Sequence, residues 1–402
     1  MDKPLRILGI VNLPWDPRLG AARVWYELSE QWTTAGHKID KFCLSDAFPK
    51  PAHSRALSAW RQAVFPYRAA RYVRRNAGKF DVIDCLIGTL PFSKKSLRFQ
   101  GLLVGRSIGL YLDYDEFIQF SRRRWPDQPR GKFVGRLFYT FTSWLLRRSA
   151  HRALSHCDLF NVPNENEKRS LEHHCAAVPT IVLPYGLNEV ERAALAGAAQ
   201  SASVRLARKE ICFLGMWSVR KGSRDWPKIV RAILNSVPNA RFAFLGTMTD
   251  EQTVLGDLEL TSSESIRCLT SYDPKELPQL IGGSAVGLFP SYIEGFGLSV
   301  LEQLACGIPT IAYDVPGPHH IFDGTGAEFL IPVGNVKAMT DRALEVLRMS
   351  ETDYSVLSAK CRQIAAHFGW KQIAADTIRE YAAALPRQNS GNQQRQAQIV
   401  SV

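Results

Sequence analysis

Short apolar runs alternate with longer amphipathic stretches along most of the 402-residue chain. The first apolar run, at 5–12, is followed by a helical pattern at 23–34 that ends at Gly36. Further strand-like runs in the first half lie at 81–85, 102–106, 159–162 and 181–183. Apolar runs separated by helical patterns predict a parallel sheet built from βαβ units.

The second half repeats this alternation. Its predicted strands lie at 211–214, 241–245, 265–269, 286–289, 310–312 and 328–331. Helical patterns between them include 226–237 and 337–348. An Ala- and Ser-rich stretch at 192–209 has the composition of a linker. We therefore expect an α/β fold of two Rossmann-like domains facing a central cleft, with ligands beyond the carboxyl ends of the strands.

The pattern also sets the expected domain limits. The first domain is predicted at 1–195 and the second at 205–368. A last helix at 370–385 is expected to pack back on the first domain. The polar stretch at 386–402 is predicted to be a disordered tail, because it lacks the apolar residues that a core requires.

Composition narrows the class of protein. The chain is 46% hydrophobic and 22% charged, which is ordinary for a globular protein. Its eight cysteines form no C-x-x-C pair and mostly lie in apolar runs, so we expect reduced core residues in a reducing compartment. Neither a secretory signal nor an apolar run of membrane-spanning length is recognisable, which favours a cytoplasmic location.

The positive charge is concentrated in one part of the chain. The net charge is +12, and residues 51–150 hold 19 Lys/Arg against six Asp/Glu. Residues 201–402, in contrast, hold 20 of each. One domain is therefore predicted to face an anionic partner, and the other is not.

Aromatic residues are interleaved with this basic stretch. Residues 55–75 carry Trp60, Phe65, Tyr67 and Tyr72 among arginines, a pattern that favours a surface on anionic lipid. An apolar helical stripe at 133–148 is expected to be a core helix instead. Nucleic acid is not expected as a partner, since no nucleic-acid motif accompanies the charge.

The most specific pattern is Glu294-Gly-Phe-Gly-Leu-Ser-Val-Leu-Glu302, which follows the apolar run at 285–290. The order strand, glycine turn and helix suits a phosphorylated ligand, because the turn admits close backbone approach and the helix N-terminus favours negative charge. The two carboxylates can accept hydrogen bonds from sugar hydroxyls. The pattern therefore points to a nucleotide-sugar.

Several motifs together resemble glycosyltransferase family 4, which has the GT-B fold. The matching pieces are Phe213-Leu-Gly215, Lys221-Gly222, Phe244-Leu-Gly246, the Glu-x7-Glu motif at 294–302, Ala305-Cys-Gly-Ile-Pro309 and Gly317-Pro318. The resemblance is specific from 211 to 331 and weaker elsewhere. It implies a retaining glycosyltransferase that needs no cofactor and no essential metal, with donor bound by the second domain and acceptor by the first.

The resemblance also implies residue roles. Glu294 would hold the donor sugar and Lys221 would neutralise the departing diphosphate, so both are catalytic candidates. Glu302 would hold the ribose hydroxyls. The full set of candidate donor-binding residues is Gly20, Gly215, Arg220, Lys221, Glu294, Gly295, Phe296, Gly297, Leu298 and Glu302.

The chain departs from the family pattern at three places. Met216 replaces a usual arginine, with Arg220 as a possible substitute, and Gly20-Ala21 replaces a pair of glycines. Ile108 stands where many relatives have a histidine, and isoleucine can neither exchange a proton nor donate a hydrogen bond. That role is lost or taken by a neighbour, for which the candidates are Tyr111, Asp113, Tyr114 and Asp115. Arg106 and His319 are two further acceptor-side candidates.

Asp113-Tyr-Asp115 also matches a three-residue metal motif of another glycosyltransferase fold, but the surrounding chain does not, so no metal site is predicted. The expected function is transfer of a sugar from a nucleotide-sugar donor to a hydroxyl acceptor. The acceptor is expected to be a lipid-linked, polysaccharide or glycoconjugate precursor at the cytoplasmic membrane face. Two alternatives stay open: a donor-binding scaffold subunit with weak activity, and a sugar-nucleotide epimerase.

Overall fold

The computed structural model describes residues 3–126, 133–175, 177–260 and 264–385. Within its helices, the side chains at 55, 111–113, 115, 133–143 and 174 lie outside the description. The predicted tail at 386–402 also lies outside the described residues.

Twelve strands in the described residues form two parallel six-stranded sheets. The first sheet comprises β1 Arg6–Val11, β2 Lys38–Cys43, β3 Val82–Leu86, β4 Leu102–Arg106, β5 Leu159–Val162 and β6 Thr180–Val182. The second comprises β7 Glu210–Leu214, β8 Arg241–Leu245, β9 Ile266–Leu269, β10 Val286–Phe289, β11 Thr310–Tyr313 and β12 Leu330–Ile331. The predicted α/β fold with two Rossmann-like sheets is confirmed.

Helices connect these strands in order. Those of the first half are α1 Gly20–Thr34, α2 Leu44–Ala47, α3 Arg55–Asn76, α4 Lys94–Leu97, α5 Tyr111–Arg124, α6 Phe133–Leu154, α7 Glu165–Cys175, α8 Glu189–Gly197 and α9 Ala202–Arg208. Those of the second half are α10 Trp226–Ser236, α11 Glu251–Asp257, α12 Leu277–Ile281, α13 Leu298–Ala305, α14 Pro316–Phe322, α15 Val336–Leu347, α16 Glu351–Ala366 and α17 Trp370–Ala384. Among these helices, none combines the length and the apolar character that a bilayer crossing requires.

In each sheet, the strand order reverses next to the strand that comes first along the chain, β1 or β7. The first sheet has the order β2-β1-β3-β4-β5-β6 and the second β12-β11-β10-β7-β8-β9. In open parallel sheets, ligands bind where the order reverses, beyond the carboxyl ends of the strands. The loops after β7 and β10 therefore border the expected binding crevice of the second sheet.

β2 was not predicted from the pattern. Lys38, Asp40 and Lys41 give it a polar sequence, and its first four residues are not buried. It lies at the edge of the first sheet, paired with β1 alone among the described strands. An edge strand is buried less than a central one, so its sequence lacks the continuous apolar run that marks β1.

The stretch at 192–209, predicted to be a linker from its composition, lies between the two sheets. Most of it is helical, in α8 and α9. The guanidinium of Arg205 is buried and donates to the carbonyl oxygens of Gly282 at 3.0 Å and Gly307 at 2.9 Å. A long side chain bound to backbone carbonyls fixes α9 on the second sheet, which composition could not indicate.

The last helix, α17, returns to the first half. Trp32 Nε1 on α1 donates to the carbonyl of Ala374 at 3.2 Å. The hydroxyl of Tyr381 donates to Asp84 Oδ2 at 2.6 Å, and both side chains are fully buried. Part of α17 thus belongs to the core of the first half.

All eight cysteines are free thiols, and six of them are buried. This agrees with their prediction as core residues. Burial raises the pKa of Cys212 to about 12, so this thiol stays protonated at neutral pH.

Candidate functional site

Two loops meet at the reversal point of the second sheet. Gly222 has φ +84°, and a Cβ there would lie 2.4 Å from the carbonyl oxygen of Pro290. Only glycine suits both the left-handed backbone and this close approach. The preceding 3₁₀ turn therefore places Lys221 beside Glu294, although 73 residues separate them.

Lys221 and Glu294 form a partly buried ion pair. The amine also lies 4.4 Å from the centroid of the Phe289 ring, and Arg220 Nη1 lies 3.8 Å from Glu294 Oε2. The pKa of Lys221 is lowered overall, mainly because the amine is buried. Glu294 acts to raise it and Arg220 acts to lower it further. Two cations and one carboxylate thus share the floor of the site.

The Glu-Gly-Phe-Gly turn leads directly into α13. Gly297 has φ +98° and caps the helix, so residues from Leu298 onward can turn helically. The first N–H groups of a helix have no carbonyl one turn earlier to bond, and they are available to an anion. Gly317 N donates to the carbonyl of Glu294 at 3.1 Å and fixes the turn from the side of α14.

The first half contacts this turn directly. A Cβ on Gly295 would lie 2.8 Å from Gly109 Cα and 2.9 Å from the carbonyl oxygen of Ile108. Asn164 Nδ2, which is buried, donates to the carbonyl of Gly295 at 2.6 Å. The segment that lacks the family histidine therefore lies against the candidate sugar-binding turn.

The second carboxylate of the motif, Glu302, is bound by an arginine from the first half. Arg23 Nη1 on α1 donates to Glu302 Oε1 at 2.8 Å, and Arg23 Nη2 donates to Glu191. Burial and Glu191 raise the pKa of Glu302, while Arg23 lowers it, with a resulting value of about 7.

The glycines predicted as donor contacts lie at the rims of the two sheets. Gly215 follows β7 with φ +143°, and the only described side chains near a Cβ there are Phe213 and Lys221. Gly20 is the first residue of α1, and a Cβ there would meet nothing within 4 Å. Met216, at the position of the usual arginine, is 46% exposed.

The acceptor-side prediction for Arg106 was wrong. Its side chain is fully buried and donates to Asp84 Oδ2 at 2.7 Å and to the hydroxyl of Tyr381 at 2.9 Å. Because this guanidinium is buried against a carboxylate, no part of it is exposed to contact a substrate. Its role is to join β4 to β3 and α17.

Two other acceptor-side candidates, His319 and Tyr114, have described side chains. His319 lies on α14, and its Nδ1 is 2.8 Å from Asp314 Oδ1, with both side chains about half exposed. The ring of Tyr114 lies 5.5 Å below the guanidinium of Arg220. Tyr111, Asp113 and Asp115 lie outside the residues whose side chains are described.

The basic surface predicted on residues 55–75 lies on one face of α3. Phe65, Ala69 and Val73 are buried on the inner face. The outer face exposes two aromatic rings, Trp60 by 49% and Tyr67 by 67%. The exposed basic residues on that face are Arg68, Arg71, Arg74 and Arg75.

The core interpretation of the stripe at 133–148 was wrong for its described end. Trp144 is 50% exposed and stacks with Arg148, whose guanidinium lies 5.5 Å from the ring centroid. The part at 133–143 has no described side chains. Ala150 and Leu154, further along α6, are buried.

Sequence reasoning missed Arg23, Glu191 and Asn164. Their partners lie more than 100 residues away in most cases, as for Arg23 and Glu302, which are separated by 279 residues. Arg23, three residues after Gly20, was counted only as the start of a helix. Among the described residues, no three His, Cys, Asp or Glu side chains group as metal ligands would.

Comparisons with known proteins identify similar chains. Residues 200–363 match the family of glycosyl transferases group 1. The D-inositol 3-phosphate glycosyltransferase of Arthrobacter sp. (strain FB24) is 36% identical over 122 residues, which cover 29% of this chain and 28% of that protein. The GDP-mannose:cellobiosyl-diphosphopolyprenol alpha-mannosyltransferase of Xanthomonas campestris is 21% identical over 212 residues, or 51% of this chain and 55% of that protein.

Solved structures resemble the chain over nearly its whole length. Sucrose-phosphate synthase from Thermosynechococcus elongatus has a TM-score of 0.69 and 18% identity, covering 94% of this chain and 98% of that one. Anabaena HepE, in complex with UDP and glucose, has a TM-score of 0.63 and 14% identity, covering 93% and 99%. Residues 200–363 therefore match the family of glycosyl transferases group 1, within a chain that has the two-sheet GT-B fold.

Proposed function

We propose that the protein is a retaining glycosyltransferase of family 4 that transfers a sugar from a nucleoside diphosphate sugar to a hydroxyl acceptor. The observation that carries the proposal is the Lys221–Glu294 pair beside the N-terminus of α13. These groups meet at one strand reversal, where ligands of such sheets bind. The cation suits the diphosphate, and the carboxylate can accept hydrogen bonds from sugar hydroxyls. The helix N–H groups suit the phosphate that is bonded to the sugar.

In the proposed reaction, the donor separates the Lys221–Glu294 pair. Lys221 turns to the diphosphate, and Glu294 accepts hydrogen bonds from the sugar. The bond from the anomeric carbon to the diphosphate oxygen breaks as the acceptor oxygen bonds to that carbon. Lys221 then stabilises the negative charge that grows on the leaving group, in a site held ready by the protein.

The acceptor hydroxyl also has to lose its proton. Ile108, beside the sugar-binding turn, cannot take it. With retention, the acceptor approaches on the face from which the diphosphate departs, so an oxygen of the leaving group can accept the proton. We propose that no metal is essential, because Lys221 and Arg220 already supply two positive charges at the leaving group.

For the acceptor we propose a lipid-linked or glycoconjugate precursor, reached at the cytoplasmic face of a membrane. The support is the outer face of α3, where Trp60 and Tyr67 are exposed among four arginines. Rings of this kind suit the headgroup level, and each arginine near an anionic surface adds about 1 kcal/mol of attraction.

A vesicle-flotation assay tests the membrane part. Wild-type protein should float with vesicles that contain anionic phosphatidylglycerol, and binding should weaken in 0.5 M salt because the attraction is screened. The double variant Arg71→Glu, Arg74→Glu should stay in the bottom fraction. Lys371→Glu, an exposed lysine on α17, is the matched control and should float normally. Equal flotation of both variants would remove the α3 surface from the proposal.

A thermal-shift screen tests the donor part. UDP-, GDP- and ADP-sugars are compared at equal concentration, since a ligand raises Tm according to its affinity for the folded state. One nucleotide class should raise the Tm of the wild type. The same class should have a much smaller effect on Lys221→Met, because the diphosphate loses its cation. No shift with any donor would contradict the proposal.

A further inference from the structure

One guanidinium lies among three carboxylates at the junction of the two halves. Arg23 donates to Glu302 Oε1 at 2.8 Å and to Glu191, and its Nε lies 3.8 Å from Glu27 Oε1. The side chains of Arg23 and Glu302 are each only 11% exposed. Arg23 and Glu27 belong to α1 of the first half, whereas Glu302 belongs to α13 of the second.

Stability alone is a poor reason for this arrangement. Burying ion pairs costs desolvation, and three carboxylates around one cation leave excess negative charge. Asn188 Nδ2 donates to Glu27 Oε1 at 3.1 Å and satisfies part of that charge. The remaining carboxylate oxygens can therefore accept hydrogen bonds from a ligand.

The two oxygens of Glu302 are in different situations. Oε1 is bound to Arg23, while Oε2 accepts no hydrogen bond from any of the described residues. Glu302 is buried but keeps 8% exposure, so it is not fully closed to solvent. The free oxygen lies at the second turn of the helix whose N-terminus is the candidate phosphate site. In a nucleotide whose phosphates lie at that N-terminus, the neighbouring group that can donate hydrogen bonds is the ribose.

We infer that Arg23 is a positioning residue for nucleoside recognition: it holds one oxygen of Glu302 so that the other faces the ribose hydroxyls. This inference rests on the proposed function, because it takes Glu302 as the ribose contact. Arg23 comes from the first half, so ribose recognition depends on both halves and not on the donor domain alone. Glu191 holds the second nitrogen of Arg23 and thereby fixes the guanidinium plane.

Isothermal titration with nucleoside diphosphates and their 2′-deoxy counterparts tests the inference. The probes are UDP, GDP and ADP against dUDP, dGDP and dADP. The nucleotide that binds the wild type should do so at least ~10-fold more tightly than its deoxy form, because the deoxy form lacks a hydroxyl that donates to a charged carboxylate. In Arg23→Gln this ratio should fall to about 3 or less.

A purely structural role would lower Tm and weaken both nucleotides equally, leaving the ratio unchanged. Arg18→Gln is the matched control, because Arg18 is an exposed arginine of the loop before α1 and forms an ion pair with Asp16. It should keep the wild-type ratio. If Arg23→Gln does not fold, Arg23→Lys and Glu191→Gln replace it, each with an expected intermediate ratio.

The outcomes separate this inference from the proposed function. A wild type that binds none of the three nucleotides contradicts both. A wild type that binds one of them without discriminating against the deoxy form overturns the inference and leaves the donor proposal standing. A folded Arg23 variant that keeps the full ratio likewise overturns the inference alone.

Discussion

At the scale of single residues, Lys221 is the group on which the proposed chemistry depends. It is held between Glu294 and the ring of Phe289, in a partly buried position where charge is screened little. Its amine therefore interacts strongly with whatever anion replaces Glu294. The cost of removing it should appear mainly in the chemical step, where charge on the diphosphate grows.

We expect Lys221→Met to lower kcat by about 10²–10³-fold, with a smaller change in the KM of the donor. Steady-state kinetics with the identified donor measures both parameters. Lys228→Met, which removes an exposed lysine from α10, should leave both unchanged. A Lys221→Met enzyme with wild-type kcat would show that this cation does not act on the leaving group.

A pH effect on stability follows from Glu302. Its pKa of about 7 in the folded protein lies above the ordinary carboxyl value of 4.5. The folded state therefore binds more protons than the unfolded state between these values, and stability falls as pH rises through that window.

The comparison of wild type with Glu302→Gln isolates this group. Gln cannot ionise, so the Tm of the wild type relative to the variant should decline from pH 5 to pH 8. Thermal unfolding at several pH values measures the difference. A difference that stays constant, or that increases with pH, would contradict the raised pKa.

Sequence could indicate one side of the site and not the other. Glu294 and Glu302 were found because their turn, glycines and helix are contiguous, so local pattern carries the information. Arg23 and Asn164 reach the same site only through the fold, from far along the chain. Arg106 was misplaced because a motif does not show whether its arginine points into a cleft or into the core.

At the scale of elements, close backbone approach determines the geometry. The loop after β7 reaches the loop after β10 only because Gly222 adopts φ +84° without a side chain. Local sequence indicated these loops correctly, since glycines follow both strands. The linker helices α8 and α9 were missed because an Ala- and Ser-rich composition suits a flexible segment as well as a helix.

Gly222→Ala should therefore destabilise the protein by about 2 kcal/mol or more, from a strained φ and a clash with Pro290. Donor affinity should fall as well, because the shifted loop carries Lys221. Urea unfolding and donor titration measure the two effects. Gly256→Ala on α11, where a Cβ would meet nothing within 4 Å, should be neutral or slightly stabilising. Equal stability of both variants would contradict the strain argument.

At the scale of the whole molecule, the two halves are joined at several separated places. Arg205 anchors the linker to the second half, α17 returns to the first sheet, and the turn at 294–297 contacts Ile108 and Gly109. The sequence predicted two parallel sheets and every described strand except β2, because buried parallel strands have continuous apolar runs. It could not predict how the halves meet, since the buried polar contacts between them have no periodicity.

Tyr381→Phe tests the return of α17. The hydroxyl bonds the buried Asp84–Arg106 pair, so its loss should lower the free energy of unfolding by about 1–3 kcal/mol. Urea unfolding followed by fluorescence measures this change. Tyr26→Phe, on α1 of the same half, is the matched control and should change stability little. A Tyr381→Phe protein of wild-type stability would show that α17 does not support the first sheet.

The central claim is that Glu294 holds a donor sugar for transfer. Its most direct test is turnover of the donor found by thermal shift, with and without a lipid-linked hydroxyl acceptor, by wild type and Glu294→Gln. We predict an acceptor-dependent product with retained anomeric configuration from the wild type, and at least ~100-fold less from the variant. Glu259→Gln, an exposed residue paired with Arg231, should transfer normally. Tight donor binding without turnover, conversion of the donor without acceptor, or full activity of Glu294→Gln would contradict the claim.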